Sequence, residues 1–552
     1  MSRARSWVPA VVVSVLAIAV GGWMLQQGAA AQETRPPKAQ LLDEVQNLIA
    51  ERYVDPIDSS ELYRMAIDGM LYELGDPYSV FIDAEQTEDL EITTTGNYGG
   101  LGIRIQQVGD WITVMGILPG TPAEREGLMT GDWIFEVDGS SARGWTDDIA
   151  VENLRGPKGE PVELAVMRPG VPEPIHLTIV RDEIHVEPVV AYMLEPGIGF
   201  VRLETFSKNA RAEIGTAIDE LIEQGARGLV LDLRDNPGGL LDEGVAVTDL
   251  FLEQRDDIVE TRSRVADQNY TFRASTEDLF PGLPIVVLVN NYSASASEIV
   301  AGALQDHDRA VILGTTTFGK GSVQTLYQLP EGHHLKLTTA GWYTPSGRSI
   351  SRPRDIDGLP TDVDVADVDA DTADDTVAAT AEEEYWTEGG RPVFGGGGIT
   401  PDVVEPDSLT DREREFAEAL GRGSFSLNQL SVRFAATWNA DHAKLQSDFV
   451  ITPAMRDEFY RMLVEEEVEL DPDLYRDVQS LVDRFLAAQL ANSAFGETER
   501  LRRFQAGNPQ VRQAVLLLRE ATTPEELLNV VVNRVDSGAG EPLPRAAAAP
   551  SN

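Results

Sequence analysis

Two short stretches of this chain carry residue types able to do covalent chemistry. The first, "SASASEIVAGALQD", places Ser293, Ser295 and Ser297 between an apolar run, "PIVVLVN", and a segment with helical spacing. A strand-to-helix turn of small residues exposes a nucleophilic serine and sets the positive end of a helix beside the oxygen charge that develops. Ser295 is the best placed of the three. Glu298, three residues on, completes an N-terminal capping pattern, and the Ala296 amide then faces the place where an oxyanion forms. An ordinary helix cap explains the same serine. The second stretch, "GTTTFGKGS" from Gly314 to Ser322, nearly spells the phosphate-binding G-x-x-x-x-G-K-[ST]. Gly321 stands where that loop needs a hydroxyl for magnesium, and "SVQTLYQL" favours a strand where the loop needs a helix. Lys320 therefore needs another role. Desolvation disfavours a charged lysine, and a neutral amine can take a serine proton. Gln324, two strand steps after Lys320 and on its side by alternation, is placed to orient that amine.

A third stretch, "LDLRDNPGGLL", ends a β-rich run with Asn-Pro-Gly-Gly. Glycines at the carboxyl end of a strand let backbone amides approach a ligand closely, so Gly238 or Gly239 is a candidate second oxyanion donor; a plain turn explains them equally. Other chemistries have less to stand on. The six histidines are scattered, and none pairs with another at the i, i+4 spacing of a zinc-binding helix, so no metal is expected. Asp367, Asp369 and Asp371 imitate the start of a calcium loop that then lacks its glycine (Thr372) and its closing glutamate (Ala378). No cofactor is expected.

The elements that must position these residues follow from periodicity. Residues 38–90 read as an N-terminal helical segment, with two helices between Ala39 and Tyr78. Between 91 and 184, the short strands "LGIRI", "WITVMGI", "WIFEVDG", "VELAVMR" and "IHLTIV" and one helix, "DIAVENLRG", fit a small, partly open barrel. From 185 to 351 strands alternate with helices, the mark of a layered α/β domain. An acidic, Asp-rich insertion over 352–393 interrupts it, and "GITPDVV" returns to it over 394–407. Residues 408–536 read as helical, and 537–552 as a disordered tail.

Composition narrows the partners. With 45 basic and 91 acidic residues in 552, the net charge is −46, which argues against nucleic acid and anionic membrane surfaces. The chain has no cysteine, which excludes disulfides and thiol chemistry. "MSRAR" precedes an apolar run over 7–25 and a small-x-small site ending at Ala31. Residues 1–31 thus read as a cleaved signal peptide or a retained membrane anchor, and either exports the rest to a bacterial cell envelope.

Taken together and in order, "GMLYELGDPYSVFI", "YGGLGIRI", "LDLRDNPGGLL", "SASASEIVAGALQD" and "TFGKGSVQ" resemble the carboxyl-terminal processing, or tail-specific, proteases of serine peptidase family S41. The resemblance runs from about 40 to 350 and resumes at "GGGGITPDVV". It implies a ClpP/crotonase-like α/β protease core with an inserted PDZ domain. It also implies that Ser295 is the nucleophile, Lys320 (twenty-five residues later) its general base and Gln324 the residue positioning the lysine. Gly238 or Gly239 with Ala296 would form the oxyanion hole, and Asp306, an aspartate sometimes assigned to the machinery, is read as structural. In the PDZ domain, Gly100, Leu101, Gly102 and Ile103 would hold a peptide's terminal carboxylate. The implied partners are protein substrates with apolar C-terminal tails. An adaptor or a second copy of the chain is a further expectation, attached to the helical region after 408. The alternative is a non-catalytic tail-binding scaffold on a hydrolase-like core.

Overall fold

The computed structural model describes residues 37–354, 383–406, 409–422, 426–442, 445–466, 468 and 470–536. The expected export segment 1–31, the calcium-like Asp367–Asp371 stretch with Thr372 and Ala378, and the expected disordered tail 537–552 lie outside them. Among the described residues no helix is long and apolar enough to cross a membrane. Two compact units divide at Phe81 and Ile82. The first holds two helices, α1 (Pro37–Arg52) and α2 (Ser59–Tyr72), the second capped by Asp58, whose carboxylate accepts the Ser60 N–H at 2.8 Å.

In the second unit, α3 (Ala84–Thr95) leads into strand β1 (Asn97–Gly100) and then a six-strand antiparallel sheet, a five-strand path with the two-residue strand Ser140–Ser141 paired off its side. Its strands run in the order β2 (Ile103–Val108), β3 (Trp111–Ile117), β4 (Trp133–Val137), β5 (Pro161–Met167) and β6 (Ile175–Val180). Helix α4 (Asp147–Leu154) lies between β4 and β5 in sequence, and Thr146 caps it. Ile112, Val114, Ile134, Val162, Leu164 and Val166 close one core with Ala150 and Leu154 of α4. Strand β7 (Asp182–His185) then pairs with β1.

The central sheet orders β8 (Val189–Glu195), β9 (Ile198–Leu203), β10 (Gly228–Asp232), β13 (Ile285–Val289), β14 (Val311–Gly314) and β17 (Val403–Val404), with β8 antiparallel and the rest parallel. "GLVLD" and "IVVLV" are buried along their whole length, as strands covered on both faces must be. On one face, Leu229, Leu231, Val287 and Val289 meet α5 (Ala210–Glu223), α6 (Leu241–Thr248) and α7 (Ala296–Asp306). On the other, Val230, Val286, Leu288 and Leu313 meet helices from the chain's last quarter. A smaller antiparallel sheet joins β15 (Ser322–Gln328), β16 (His334–Tyr343), β11 (Asp257–Arg262) and β12 (Thr271–Arg273).

Two boundaries read from the sequence shift. The acidic insertion reads from the sequence as 352–393, yet its described end is built into the domain. Glu384–Trp386 and Pro392–Phe394 form a hairpin, and Arg391 pairs with Asp308 and Asp402 at 2.5 Å each. The region 408–536 is likewise two things. Helices α8 (Asp411–Arg422), α9 (Leu427–Asp441), α10 (Pro453–Glu465), α11 (Pro472–Asp477) and α12 (Gln479–Phe495) enclose a core of their own around Phe434, Phe459 and Leu486. Beyond them, α13 (Glu497–Ala506), α14 (Pro509–Arg519) and α15 (Pro524–Asp536) supply Leu501, Val511, Leu517, Leu518, Leu527 and Val531 to the second face of the central sheet. The last helices belong to the α/β domain itself.

Leu518 tests this directly, because Gly228 leaves room for it: a Cβ there would stand 3.3 Å from Leu518 Cδ2. Leu518→Ala should destabilise the α/β domain by about 2–5 kcal/mol, read as a lower urea midpoint. An unchanged midpoint would mean that these helices do not contribute to the sheet's stability.

Candidate active site

Strand β13 ends at Val289, and the chain turns through Asn290–Ala294 into α7. The three serines of this turn have different fates. Ser293 is fully buried and its hydroxyl donates to the Leu233 carbonyl at 2.8 Å. Ser297 is fully buried too and donates to the Asn236 carbonyl at 2.9 Å. Both are spent fastening the turn to the loop that leaves β10. Ser295 is half-buried and takes φ 56°, ψ −112°, a strained conformation for a residue with a Cβ. Such strain costs of order 1–3 kcal/mol and persists only where its surroundings impose it.

Glu298 imposes it. This carboxylate is completely buried on the first turn of α7 and accepts four hydrogen bonds. Oε2 takes the Ser295 N–H at 2.8 Å and the Lys320 N–H at 3.0 Å; Oε1 takes the Thr317 hydroxyl at 2.6 Å and the Gly319 N–H at 2.7 Å. One oxygen thus holds the backbone of the serine and the backbone of the lysine no farther apart than two hydrogen bonds. Burial pushes the Glu298 carboxyl up from its ordinary value, and the Thr317, Gly319, Ser295 and Lys320 donors pull against that shift. The capping pattern pointed to Glu298 as a local cap. Its reach across to residues 317–320 has no local signature, apart from an acid on the first turn of a fully buried, largely apolar helix.

The lysine loop is clamped from the other side as well. Trp342, buried on β16, donates its ring N–H to the Lys320 carbonyl at 3.0 Å and its backbone N–H to the Gly321 carbonyl at 2.9 Å. The Arg352 N–H bonds the Gly319 carbonyl at 2.9 Å. The glycines on either side of Lys320 are the consequence of this closeness: a Cβ on Gly319 would meet Arg352 Cβ at 2.7 Å, and one on Gly321 would meet Ser351 N at 2.9 Å. Gln324 donates from Nε2 to the Ser322 hydroxyl at 2.9 Å and the Thr338 hydroxyl at 3.3 Å. A bulge between Val323 and Gln324 breaks the alternation that aligned it with Lys320.

The Asn-Pro-Gly-Gly turn lies against the serine. A Cβ on Gly238 would stand 2.8 Å from Ser295 Cβ and 3.0 Å from the Ala296 nitrogen, so only glycine lets the two turns meet. The two candidate oxyanion glycines are not equivalent. Gly238 gives its N–H to Asn236 Oδ1 at 2.9 Å, which removes it as a donor. Gly239 forms a parallel bridge with Phe206, whose bonds run to the Gly238 carbonyl and the Leu240 N–H, so Gly239's own N–H points away from Phe206. The Ala296 N–H is among the first amides of α7, which lack intrahelical partners. Asp306 closes the far end of α7. There its carboxylate accepts from buried Arg348 at 2.7 Å and from the Ser346 N–H at 3.0 Å, a structural pairing remote from Ser295.

In the small barrel, Gly100 ends β1 and Ile103 starts β2, with Leu101 buried between them. The Leu101 carbonyl accepts the Ala123 N–H at 3.0 Å and the Gly102 carbonyl the Leu118 N–H at 2.9 Å. Gly102 has φ 79°, and a Cβ there would strike Thr121 at 2.3 Å. Among the described residues β2 pairs only with β3, which leaves its outer edge as a template for one more strand. The Asp147 carboxylate at the start of α4 accepts the Gln107 N–H at 2.5 Å, closing the far end of that edge.

Residues 197–365 match peptidase family S41, residues 90–167 the PDZ domain, and residues 21–86 the activating protease CtpB N-terminal domain. The carboxy-terminal-processing protease of Bartonella bacilliformis is 45% identical over 306 residues, covering 55% of this chain and 70% of that protein. The carboxy-terminal processing protease CtpA of Bacillus subtilis is 35% identical over 345 residues, covering 62% of this chain and 73% of its own length. The solved photosystem II D1 C-terminal processing protease aligns over 57% of this chain and 91% of its own, at 32% identity and a TM-score of 0.35.

Glu298 carries the prediction that this geometry generates. In Glu298→Gln, an amide NH₂ replaces one acceptor wherever it is placed, and it confronts a backbone N–H. Peptidase activity should fall about 100-fold or more while the protein stays folded. Near-normal kcat in a folded variant would show that the carboxylate does not hold the site.

Proposed function

The chain belongs to peptidase family S41, among the carboxy-terminal processing proteases, and from that premise we propose that Ser295 and Lys320 are its catalytic dyad. The observation that carries this is the shared Glu298 oxygen, which ties the two residues together while Ser293 and Ser297 spend their hydroxyls elsewhere. The neutral Lys320 amine takes the Ser295 proton as Oγ attacks the substrate carbonyl. The Gly239 and Ala296 amides donate to the oxyanion. The lysine ammonium then gives its proton to the departing amine, leaving an acyl-serine. Water, deprotonated by the same amine, releases the acyl group and restores the serine. Gln324 supports the lysine loop from β15 through its hydrogen bond to Ser322.

The PDZ domain binds peptide tails in this reading. The turn from Gly100 to Ile103 receives an apolar tail's terminal carboxylate, and the open edge of β2 pairs with the residues before it. Cleavage near the substrate's C-terminus follows from that tethering. Export to the bacterial envelope belongs to the same proposal, supported by the apolar run over 7–25. So does control by an adaptor or a second copy of the chain, supported by the match of residues 21–86 to an activating protease's N-terminal domain.

The experiment compares full-length wild type, Ser295→Ala, Lys320→Ala and Lys320→Arg on an unfolded reporter with an apolar C-terminal tail. Arginine keeps the positive charge and cannot act as a neutral base. All three variants should lose about 1000-fold or more in kcat. A Lys320→Arg enzyme near wild-type rate would overturn the neutral-base role, and an active Ser295→Ala would overturn the nucleophile. For the PDZ domain, Gly102→Val should raise KM for tailed reporters with little change in kcat. Equal KM for tailed and amidated reporters in wild type would remove the carboxylate site.

A further inference from the structure

Arg234 stands between the end of β10 and the Asn236-Pro237-Gly238-Gly239 turn, and it is 3% exposed. Its guanidinium grips the Asp232 carboxylate from Nε and Nη2, both at 2.8 Å. Its remaining reach goes to the far end of the chain. Nη1 donates to Asn508 Oδ1 at 3.1 Å and Gln510 Oε1 at 2.9 Å, and Nη2 donates to Gln505 Oε1 at 2.9 Å. These three acceptors are themselves buried, on the segment where α13 passes into α14. Burying three amides is unfavourable unless each is hydrogen-bonded, so their convergence on one cation is an organised feature.

Their neutrality fits the local charge. Arg202 also bonds Asp232, at 3.1 Å, and Asp235, at 3.3 Å, so two arginines already face two aspartates. Burial works to raise the Asp232 carboxyl, and Arg234 and Arg202 outweigh it and hold the group below its ordinary value. An amide oxygen adds an acceptor to Arg234 without adding a charge. The orientations are also pinned. Gln510 gives its NH₂ to the Glu405 carbonyl at 2.7 Å, which turns its oxygen to Arg234, and Asn508 Oδ1 also accepts the Val511 N–H at 3.1 Å as the cap of α14.

From Arg234 the path to the serine is short. Asp235 follows with φ 62° and is held by Asn290, whose Oδ1 accepts the Asp235 N–H at 3.0 Å. Asn236 comes next, fully buried: its Oδ1 holds Gly238, and its carbonyl accepts the Ala294 N–H at 3.0 Å and the Ser297 hydroxyl. We propose that Gln505, Asn508 and Gln510 are positioning residues of the peptidase: a neutral tripod that fixes Arg234, and through it the placement of Gly239 against Ser295. The proposal rests on reading Gly239 and Ala296 as the oxyanion donors.

The test uses full-length protein with two readouts beside reporter cleavage: the rate at which a fluorophosphonate labels Ser295, and the affinity of a tail peptide for the PDZ domain. Gln505→Met removes one acceptor and keeps the side chain's length; Gln505→Glu restores an acceptor to Arg234. Gln505→Met should lower kcat and the labelling rate in parallel by about tenfold, with KM and tail affinity within about twofold. Gln505→Glu should recover most of that loss. Gln505→Asn, which draws the acceptor back by one methylene, should show the same pattern more weakly and replaces Gln505→Met if the latter does not fold. A folded Gln505→Met or Gln505→Asn with wild-type kcat and labelling would overturn the tripod, as would equal loss in Gln505→Met and Gln505→Glu. Labelling of Ser295→Ala at the wild-type rate would instead overturn the dyad, so the two failures are distinguishable.

Discussion

The whole site depends on one buried carboxylate accepting four donors. Glu298 cannot release any of them cheaply, because water does not reach it to replace what is lost. Hydrogen bonds to a charged group are worth about 1.5–3 kcal/mol each, enough in sum to offset the strain that Ser295 carries at φ 56°. The same group locks two segments of different sheets into one body: the helix that opens after β13 and the loop that precedes β15. A serine on one and a lysine on the other thereby keep a fixed relation, though twenty-four residues of chain separate them.

Around that carboxylate the backbone is brought unusually close, and small residues are the means. Gly238 allows the Asn-Pro-Gly-Gly turn to touch Ser295, and Gly319 and Gly321 allow the lysine loop to lie under Ser351 and Arg352. The serines flanking Ser295 do related work: buried at both sides of it, they fasten its turn to the β10 loop. What looks like a low-complexity Ser-Ala run is three serines with two kinds of employment.

Much of this was legible beforehand, for physical reasons. Strands covered on both faces must be continuously apolar, so "GLVLD" and "IVVLV" read as buried strands of a layered α/β domain. The PDZ strands alternated, and the single helix among them stood out. The spacing of Ser295, Glu298 and Lys320 was visible, yet the sequence shows only Glu298's local capping role. Its bonds to Thr317, Gly319 and Lys320 span about twenty residues with no periodic mark. Gly238 and Gly239 were indistinguishable until Asn236 was seen to take the amide of one. The Arg234 contacts were the least accessible. They join residues more than 270 positions apart, through glutamines and an asparagine whose identities announce nothing. For the same reason the helices after 408 read as a separate region, although α14 and α15 close the central sheet.

That closure has a consequence in time. A polypeptide is made from its N-terminus, so Ser295 and Lys320 leave the ribosome well before Gln505, Leu518 and Val531. Until those arrive, one face of the central sheet lacks its cover and Arg234 lacks its neutral partners. On the reading given above, a growing chain carries every catalytic group and still has no competent oxyanion site. Competence of the site then waits on the docking of the last helices, so folding of the chain's end and assembly of the oxyanion site are one event.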